Sequence, residues 1–374
     1  MLNFMMAGGT VLGNLVRGFV VLLLLAWVPF VHAGEGELVP SEMCGDFFVL
    51  TLTIGDDSSR TLTLILDTGA MVTVLDSDAV KRLTGRSVSE GARVSIREAA
   101  SGPLHYRKLP AIVREVGHLS RALGREIDGI LGYSAFNGLL LTLDYPAEEV
   151  RIREGKLPRG GGDEIYRLGG KRRPTIRMVV GGKQLKLLID SGSGSSLTIG
   201  ESHAPEWKIQ PRTVALYTKI NRLEPRMAGR SLGNIKFGPT DMEQPIVEVT
   251  TSTELIGTKV LRHFSLTFDV ARRQMLVERA AEEPILFEPV RGTGVLLGPK
   301  KGALRVIALL EGTPAEESGL AVGDVVTHVD SLDVETEGCL RRALARERRE
   351  HVVYTVDRDG SSEGIQVPMV DLVP

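Results

Sequence analysis

Two stretches of the chain share one arrangement of apolar and polar positions. In the first, the mostly apolar residues 62–66 run directly into Asp67-Thr68-Gly69-Ala70. In the second, residues 185–189 run into Asp190-Ser191-Gly192-Ser193. Short apolar runs bounded by glycine and small polar residues predict β-strands, so each run is predicted to be a strand that delivers an aspartate into the next loop. The strands expected before them also match, at residues 51–55 and 177–181.

The sequence downstream of each aspartate repeats with nearly the same spacing. Gly132 ends an Ile-Leu-Gly motif 65 residues after Asp67, and Gly257 ends a Leu-Ile-Gly motif 67 residues after Asp190. Each glycine is followed 12 residues later by another aspartate, in the segments Leu-Thr-Leu-Asp and Leu-Thr-Phe-Asp. A repeat of this length has the size of a domain and exceeds the roughly 20–50 residues of a solenoid unit. The chain is therefore predicted to contain two homologous domains.

Two aspartates at equivalent positions suit hydrolysis by a pair of carboxyl groups. One carboxyl polarises a carbonyl group as an acid, while the other takes a proton from the attacking water. Two carboxylates about 3 Å apart cannot both ionise, so such a pair holds one proton. In each loop the small hydroxyl residue can hydrogen-bond across to the other loop, and glycine allows a tight turn.

These motifs resemble those of the aspartic proteases, and more closely tandem retropepsin-like lobes, over residues 46–155 and 174–280. The resemblance implies a mainly β fold in which two homologous retropepsin-like β-barrel lobes form a bilobal acid protease. It implies that Asp67 and Asp190 are the catalytic pair, and that Gly132 and Gly257 brace their loops. The residues implied to support the active-site loops are Thr68, Gly69, Ser191, Gly192 and Ser193. Ala70 departs from the hydroxyl residue that pepsin-type lobes usually carry.

The resemblance also implies a flap, a hairpin that closes over the cleft. Residues 94–98 and 104–108 are predicted to form a hairpin, because residues 99–103 between them have turn chemistry. Gly102 and Tyr106 are the flap candidates, although a tyrosine on such a strand is more often a packing residue. A matching hairpin in the second lobe, around residues 217–229, is less clear.

The last part of the chain, residues 289–374, closely resembles the bacterial PDZ domain, an α+β fold. The resemblance rests on residues 312–320 and 323–326. Pro314 is predicted to begin a short helix that Gly319 ends, and residues 336–348 and 352–356 are predicted to be a helix and a strand. The resemblance implies that Gly292, Thr293, Gly294 and Val295 form the loop that receives the carboxyl terminus of a peptide ligand.

The amino-terminal residues 1–33 have the pattern of a secretory signal peptide. Arg17 precedes an apolar stretch, which ends in a Val-His-Ala cleavage pattern. This predicts a secreted or periplasmic protein, and the alternative is an uncleaved anchor in the inner membrane with the protein facing the periplasm. Cys44 and Cys339 lie in different predicted domains, so two unpaired thiols are the expected state.

Composition and the absence of other motifs bear on which partners and catalytic groups are expected. The 374 residues carry a formal net charge of −2 and are 43% hydrophobic and 25% charged, which gives no reason to expect a nucleic-acid partner. Neither a His-Glu-x-x-His zinc motif nor a Gly-x-Ser-x-Gly elbow occurs, and no metal or cofactor is expected. Predicted linkers lie at residues 155–162 and 280–289. Because both lobes lie in one chain, a dimer is not required.

The favoured interpretation is an aspartic endopeptidase whose PDZ domain recruits peptide or protein substrates or regulates access to the cleft. One alternative is a non-catalytic peptide-binding or scaffold protein that keeps the protease fold. The other is a protease that processes only itself.

Overall fold

A computed structural model describes residues 36–374, apart from residues 124, 160–163, 171, 220–221, 301–302 and 335–348. Residues 36–155 form β1 (Glu37–Val39), β2 (Ser41–Cys44), β3 (Phe47–Ile54), β4 (Asp57–Asp67), β5 (Thr73–Leu75), α1 (Ser77–Thr84), β6 (Arg93–Ser101), β7 (Leu104–Val113), α2 (Gly117–Leu123), β8 (Gly129–Gly132), a 3-10 helix (Tyr133–Phe136), β9 (Leu140–Asp144) and β10 (Glu149–Arg153).

Residues 156–289 form β11 (Ile165–Arg167), β12 (Thr175–Val180), β13 (Lys183–Ile189), β14 (Leu197–Gly200), a 3-10 helix (Glu201–His203), β15 (Trp207–Lys219), β16 (Arg222–Ser231), β17 (Ile235–Phe237), β18 (Thr240–Glu243), β19 (Ile246–Thr250), β20 (Leu255–Ile256), α3 (Thr258–Leu261), β21 (Ser265–Asp269), β22 (Gln274–Glu278) and β23 (Ile285–Leu286). The carboxyl-terminal part forms β24 (Val290–Gly292), β25 (Val295–Lys300), β26 (Ala303–Leu309), β27 (Val325–Val329), β28 (Leu332–Asp333), β29 (His351–Arg358), β30 (Ser361–Pro368) and β31 (Val370–Val373). The described part of the protein is thus mainly β.

The two sequence repeats fold into two seven-stranded sheets with corresponding strand pairings. The first sheet has the order β2-β3-β4-β8-β5-β7-β6, and the second has the order β12-β13-β20-β14-β19-β16-β15. The strand that ends at each aspartate runs parallel to the strand of the glycine motif, as β4 with β8 and β13 with β20. The next parallel pairs, β5 with β7 and β14 with β19, correspond in the same way. The repeat in the sequence is therefore also a repeat in topology.

A third sheet joins the two repeats. Its order is β1-β10-β9-β21-β22-β11, and its centre is the antiparallel pair β9 and β21, which occupy the same position in the two repeats. Thr142 and Thr267 lie directly opposite each other in this pair, and their buried hydroxyl groups are 2.8 Å apart. Buried side chains from both repeats, such as Leu141 and Phe268, belong to one continuous core.

The carboxyl-terminal domain has a sheet of its own, β25-β26-β27-β29-β30, with β28 added to β27. Its core is a separate cluster that includes Val306, Val326, Val356 and Val367. The strand predicted at residues 352–356 lies within β29. The segment after Pro314 is a series of turns rather than the predicted helix, because its backbone makes isolated bonds to the third residue back. Gly319 has the left-handed conformation expected of a stop signal, with φ 84°.

The structure can also be compared with the expectations for the cysteines, the linkers and the terminal segments. Cys44 is fully buried and disulfide-bonded, which corrects the expectation of an unpaired thiol; Cys339 lies outside the described residues. The predicted linker at residues 280–289 contains β23, which pairs with β18. The signal peptide at residues 1–33 and the helix at residues 336–348 lie outside the described residues, as do residues 160–162 of the first linker. No helix in the described part of the chain is long and apolar enough to cross a membrane.

The hydroxyl pair at the centre of the joining sheet gives a test of this architecture. Thr142→Val should destabilise the protein by about 1–3 kcal/mol, because it leaves the buried Thr267 hydroxyl without a partner. The double variant Thr142→Val with Thr267→Val should recover most of that loss, because both polar groups are then removed. Urea denaturation measures both, and a double variant that loses the sum of the two single effects would contradict the pairing.

Candidate active site

The loops that carry Asp67 and Asp190 meet at the junction of the two repeats. They are joined by an exchange of hydrogen bonds between Thr68 and Ser191. The backbone N–H of Thr68 donates to Ser191 Oγ at 2.9 Å, and the backbone N–H of Ser191 donates to Thr68 Oγ1 at 3.0 Å. The structure therefore brings together two loops that the sequence places 123 residues apart.

The same two hydroxyl groups also donate to carbonyl groups across the junction. Thr68 Oγ1 donates to the carbonyl oxygen of Ile189 at 2.7 Å, and Ser191 Oγ donates to that of Leu66 at 2.9 Å. Both residues are buried, so each of these four bonds replaces water that is excluded from the junction. The two loops are thereby fixed relative to each other.

Each aspartate carboxyl group lies against the glycine of the opposite loop. A β-carbon added at Gly69 would collide with the carboxyl group of Asp190, and one added at Gly192 would collide with that of Asp67. Any larger residue at either position would displace the carboxyl group of the opposite loop. Glycine is therefore required in both motifs for this close approach, a requirement additional to the tight turn that the sequence predicts.

The backbone holds the two carboxyl groups unequally. Asp67 Oδ1 accepts hydrogen bonds from the N–H groups of Gly69 at 2.7 Å and Ala70 at 3.0 Å. Asp190 Oδ1 accepts one, from the N–H of Gly192 at 3.0 Å. Because hydrogen bonds to a carboxylate stabilise its charged form, Asp67 is the better stabilised anion of the pair.

The electrostatic environment favours one shared proton. Burial raises the pKa of Asp67, and the N–H groups of Ala70 and Gly69 oppose that rise. Burial first, and then the charge of Asp67, raise the pKa of Asp190 well above its ordinary value. The pair therefore favours a single shared proton, and the additional backbone N–H bond at Asp67 favours placing that proton on Asp190.

The segments that contain the two glycine motifs form backbone hydrogen bonds to the aspartate loops. The N–H of Tyr133, next to Gly132, donates to the carbonyl oxygen of Ala70 at 2.9 Å. In the second repeat the N–H of Thr258, next to Gly257, donates to that of Ser193 at 2.8 Å. A β-carbon at either glycine would collide with backbone of the loop region, so both positions require close packing.

The second loop carries hydrogen bonds that the first one lacks. Ser193 Oγ lies 2.8 Å from Ser195 Oγ, whereas Ala70 at the equivalent position has no hydroxyl group. Farther along, the carbonyl oxygen of Gly194 accepts a bond of 2.8 Å from Arg226 Nη2 on β16, and the N–H of Ser196 donates to the buried Glu248. No local motif in the sequence distinguishes Arg226 and Glu248 from ordinary surface charges.

The predicted flap of the first repeat is part of its sheet. Residues 94–98 and 104–108 do form a hairpin, β6 with β7, but β6 also pairs with β3. Gly102 at its tip has φ +54°, and a β-carbon there would meet the ring of Pro40. Tyr106 packs against the main core, and burial raises its pKa. The packed tip does not support the closing role predicted for Gly102 and Tyr106.

The long hairpin lies in the second repeat, where the sequence signal is less clear. It consists of β15 and β16, which pair from Trp207 with Ser231 to Lys219 with Arg222. Through Arg226 it contacts the loop that follows Asp190, and the strands continue beyond that contact. This hairpin is therefore in contact with the loop of the second repeat that carries Asp190.

The loop predicted to bind a peptide terminus lies between β24 and β25. Thr293 is buried, and its Oγ1 lies 2.8 Å from the hydroxyl oxygen of Tyr354 and accepts the N–H of Val295 at 3.2 Å. Gly294 has φ +87°, and a β-carbon there would collide with Thr313. Gly292 begins the loop at the end of β24. Among the described strands, β25 pairs only with β26, so its other edge is an edge of the sheet.

Comparisons with known proteins bear on this last domain. The protein-family model for the PDZ domain matches residues 292–369. Residues 292–369 form a PDZ domain. A crystal structure of a PDZ domain protein from Parabacteroides distasonis ATCC 8503 is similar at 15% identity and a TM-score of 0.21, over 22% of this chain and 21% of that chain. This chain thus matches about a fifth of that protein's length, and no curated protein matches it.

No cluster of histidine, cysteine, aspartate or glutamate in the described residues has the arrangement needed to hold a metal ion.

The exchange of hydrogen bonds predicts a specific effect of removing one hydroxyl. Thr68→Val leaves the Ser191 N–H and the Ile189 carbonyl unpaired and buried, at a cost of about 1–3 kcal/mol for each group. Thr68→Ser, the matched control, keeps the hydroxyl and should retain most of the stability. Chemical denaturation measures both, and equal losses in the two variants would show that packing and not hydrogen bonding holds the junction.

The raised pKa values predict how stability depends on pH. A carboxyl whose pKa is raised by folding stabilises the protein fully below its unfolded pKa of about 3.9, and that stability is lost as the pH rises through the folded pKa. At pH 7 the folded protein must keep on Asp190 a proton that the unfolded chain releases, so Asp190→Asn should raise the free energy of unfolding at pH 7.

At pH 3 the same variant should have little effect on stability. Glu37→Gln, an exposed carboxylate, is the control and should leave the pH dependence unchanged. Unfolding measured from pH 3 to pH 8 tests this, and parallel curves for Asp190→Asn and the unmodified protein would contradict a shared proton.

Proposed function

We propose that the protein is an aspartic-type endopeptidase that hydrolyses peptide bonds with the pair Asp67 and Asp190, and that its PDZ domain binds peptide or protein ligands. One observation carries the proposal: the reciprocal bonding of Thr68 and Ser191, which sets each carboxyl group against the glycine of the other loop. Burying two carboxyl groups together lowers the stability of a protein. Buried carboxyl groups with strongly raised pKa values are concentrated at functional sites, which favours a catalytic role over a purely structural one.

The unequal environments assign different roles to the two carboxyl groups. Asp67, which accepts two backbone N–H bonds, is the base that takes a proton from the attacking water. Asp190 retains the shared proton and donates it to the carbonyl oxygen of the substrate as the water oxygen bonds to the carbonyl carbon. The product of this step is a neutral diol in which the carbon–nitrogen bond is still intact.

Collapse of the diol reverses the proton movements. The proton held by Asp67 passes to the nitrogen as the carbon–nitrogen bond breaks, and one diol hydroxyl returns its proton to Asp190. The products are a carboxylic acid and an amine, and the pair is restored with its proton on Asp190. The step consumes one water molecule and requires no metal or covalent intermediate.

The long β15–β16 hairpin supports a covered cleft. Its contact with the loop after Asp190 places it on the side of the second repeat, so we propose that it closes over an extended peptide. Exclusion of water by such a cover strengthens the electrostatic interactions between the carboxyl pair and the reacting groups. The sequence pattern of residues 1–33 supports secretion or location in the periplasm, and a single chain supplies both aspartates.

A second candidate is a non-catalytic peptide-binding protein, favoured by the match to the PDZ domain. PDZ domains bind extended peptides by adding them as a strand to a sheet edge, and β25 offers such an edge. In that case the two repeats position the PDZ domain, and no peptide bond is cleaved.

The deciding experiment is cleavage of a randomised peptide library from pH 3 to pH 8. Asp67→Asn should abolish turnover, because it removes the base while the loop and its two N–H groups remain. Asn is close in shape to Asp, so the substitution changes the charge more than the packing. Asp128→Asn makes the same change at a buried aspartate elsewhere in the same repeat and serves as the control.

Turnover that survives Asp67→Asn would refute the mechanism. Absence of any cleavage by folded protein would favour the binding protein, and cleavage confined to the chain itself would identify a self-processing protease.

A further inference from the structure

Strand β16 carries two arginines on one face. Arg226 and Arg230 are four residues apart, and side chains alternate along a strand, so both lie on the same side with Ala228 between them. Ala228 is buried, and neither arginine is exposed to the extent usual for this residue type. Two guanidinium groups that are largely removed from water require hydrogen-bond acceptors within the protein. The acceptors of Arg226 and those of Arg230 lie in different parts of the protein.

Arg226 fastens the strand to the aspartate loop of the second repeat. Its Nε donates to Glu248 Oε2 at 2.7 Å and its Nη2 donates to the carbonyl oxygen of Gly194 at 2.8 Å, with a further close contact between Nη2 and Glu248 Oε1. Glu248, which is 6% exposed, in turn accepts the N–H of Ser196 at 3.1 Å. The segment that follows Asp190 is therefore held at two points, directly by Arg226 of the hairpin and, through the Arg226–Glu248 ion pair, by Glu248 of β19.

Arg230, farther along β16, forms hydrogen bonds to the segments that precede and follow the PDZ domain. Its guanidinium group donates to three backbone oxygens, those of Gln244 at 3.0 Å, Phe287 at 3.0 Å and Pro374 at 2.5 Å. Gln244 belongs to the second repeat, Phe287 to the segment that leads into the PDZ domain, and Pro374 follows its last strand. A single buried side chain thus ties the hairpin to both ends of that domain.

Apolar packing reinforces the same contact. Ala228 and Ile246 from the second repeat form a buried cluster with Val373 of β31, and Phe287 and Val290 pack against it. Because such contacts are lost when the surfaces separate, β31 and β16 are expected to move together.

On the side of the PDZ domain, the strand in this contact is β31, and its partner strand β24 ends at the predicted peptide-binding loop. β31 pairs with β24, and Gly292, the first residue of that loop, lies opposite Val370. In addition, Cα atoms of β15 lie within 8 Å of Cα atoms of β25, the edge strand that follows the loop. A peptide added to a sheet edge needs about 4.8 Å between neighbouring strands, so a ligand on β25 would enter space beside β15.

We propose that β16 couples the PDZ domain to the aspartate pair, with Arg230 as the anchor on the PDZ side and Arg226 as the positioning residue on the side of Asp190. A peptide with a free carboxyl terminus, bound at residues 292–295, acts on the hairpin through β31 and β15, and the hairpin changes how firmly residues 194–196 are held. The effect on catalysis rests on the proposed function, whereas the coupling itself does not.

The first test measures the coupling without any assay of activity. Arg230→Met removes three hydrogen bonds and keeps the length of the side chain, and hydrogen exchange followed by mass spectrometry reports on each segment. Exchange of the amides at residues 192–197 should accelerate about tenfold, although Arg230 does not touch them. Arg212→Met, an exposed arginine on β15, is the matched control and should leave that exchange unchanged.

Two further variants keep the test decisive. Arg230→Lys retains a charge but reaches fewer of the three backbone oxygens, and it replaces Arg230→Met should that variant fail to fold. Val373→Ala loosens the contact from the PDZ side and should accelerate exchange at residues 192–197 in the same direction. If exchange changes only near residues 228–231 and in β31, the proposal is wrong.

A second measurement separates this proposal from the proposed function. In the peptide-cleavage assay, Arg226→Lys and Arg230→Met should lower kcat about tenfold or more, because the loop that carries Asp190 is displaced. Altered exchange without any cleavage by the unmodified protein would uphold the coupling and refute the protease. Cleavage that Arg230→Met leaves unchanged would refute the coupling and uphold the protease.

Discussion

The arrangement of the whole protein depends on the hydrogen bonds exchanged by Thr68 and Ser191. Each hydroxyl accepts the backbone N–H of the other residue and donates to a carbonyl of the opposite repeat, so the exchange leaves none of these buried groups unpaired. The joining sheet repeats the same symmetry at Thr142 and Thr267. Two domains that share a core and two sets of crossing bonds are held in one relative position, and only that position brings Asp67 and Asp190 together.

The symmetry of the two repeats is incomplete, and the differences have chemical consequences. Asp67 accepts two backbone N–H bonds and Asp190 accepts one, which separates their affinities for the shared proton. The hairpin of the first repeat is packed against Pro40, whereas that of the second repeat contacts the loop after Asp190. Under the proposed mechanism, the second repeat thus supplies both the proton and the cover of the cleft.

The buried charges of β16 connect these parts. Arg226 and Glu248 form an ion pair whose desolvation is compensated by backbone groups of the aspartate loop. The desolvation of Arg230 is compensated by hydrogen bonds to three backbone oxygens. Such buried charges need fixed partners, so they make the relative placement of hairpin, loop and PDZ domain specific. This placement gives the PDZ domain a physical connection to the aspartate pair, beyond its ability to hold a peptide.

The sequence by itself determined the two repeats, the aspartates at the ends of apolar strands, and the PDZ domain, because each depends on local patterns. It predicted glycine in each aspartate loop for a tight turn, whereas the close approach of the opposite carboxyl group to that glycine is a tertiary contact. It also predicted the β6–β7 hairpin, but only packing against Pro40 decided that its tip is fixed. Arg226 and Arg230 resemble ordinary surface charges in the sequence. Their burial, the meeting of the two loops and the unequal bonding of the carboxyl groups were decided by tertiary structure, since they depend on contacts between residues far apart along the chain.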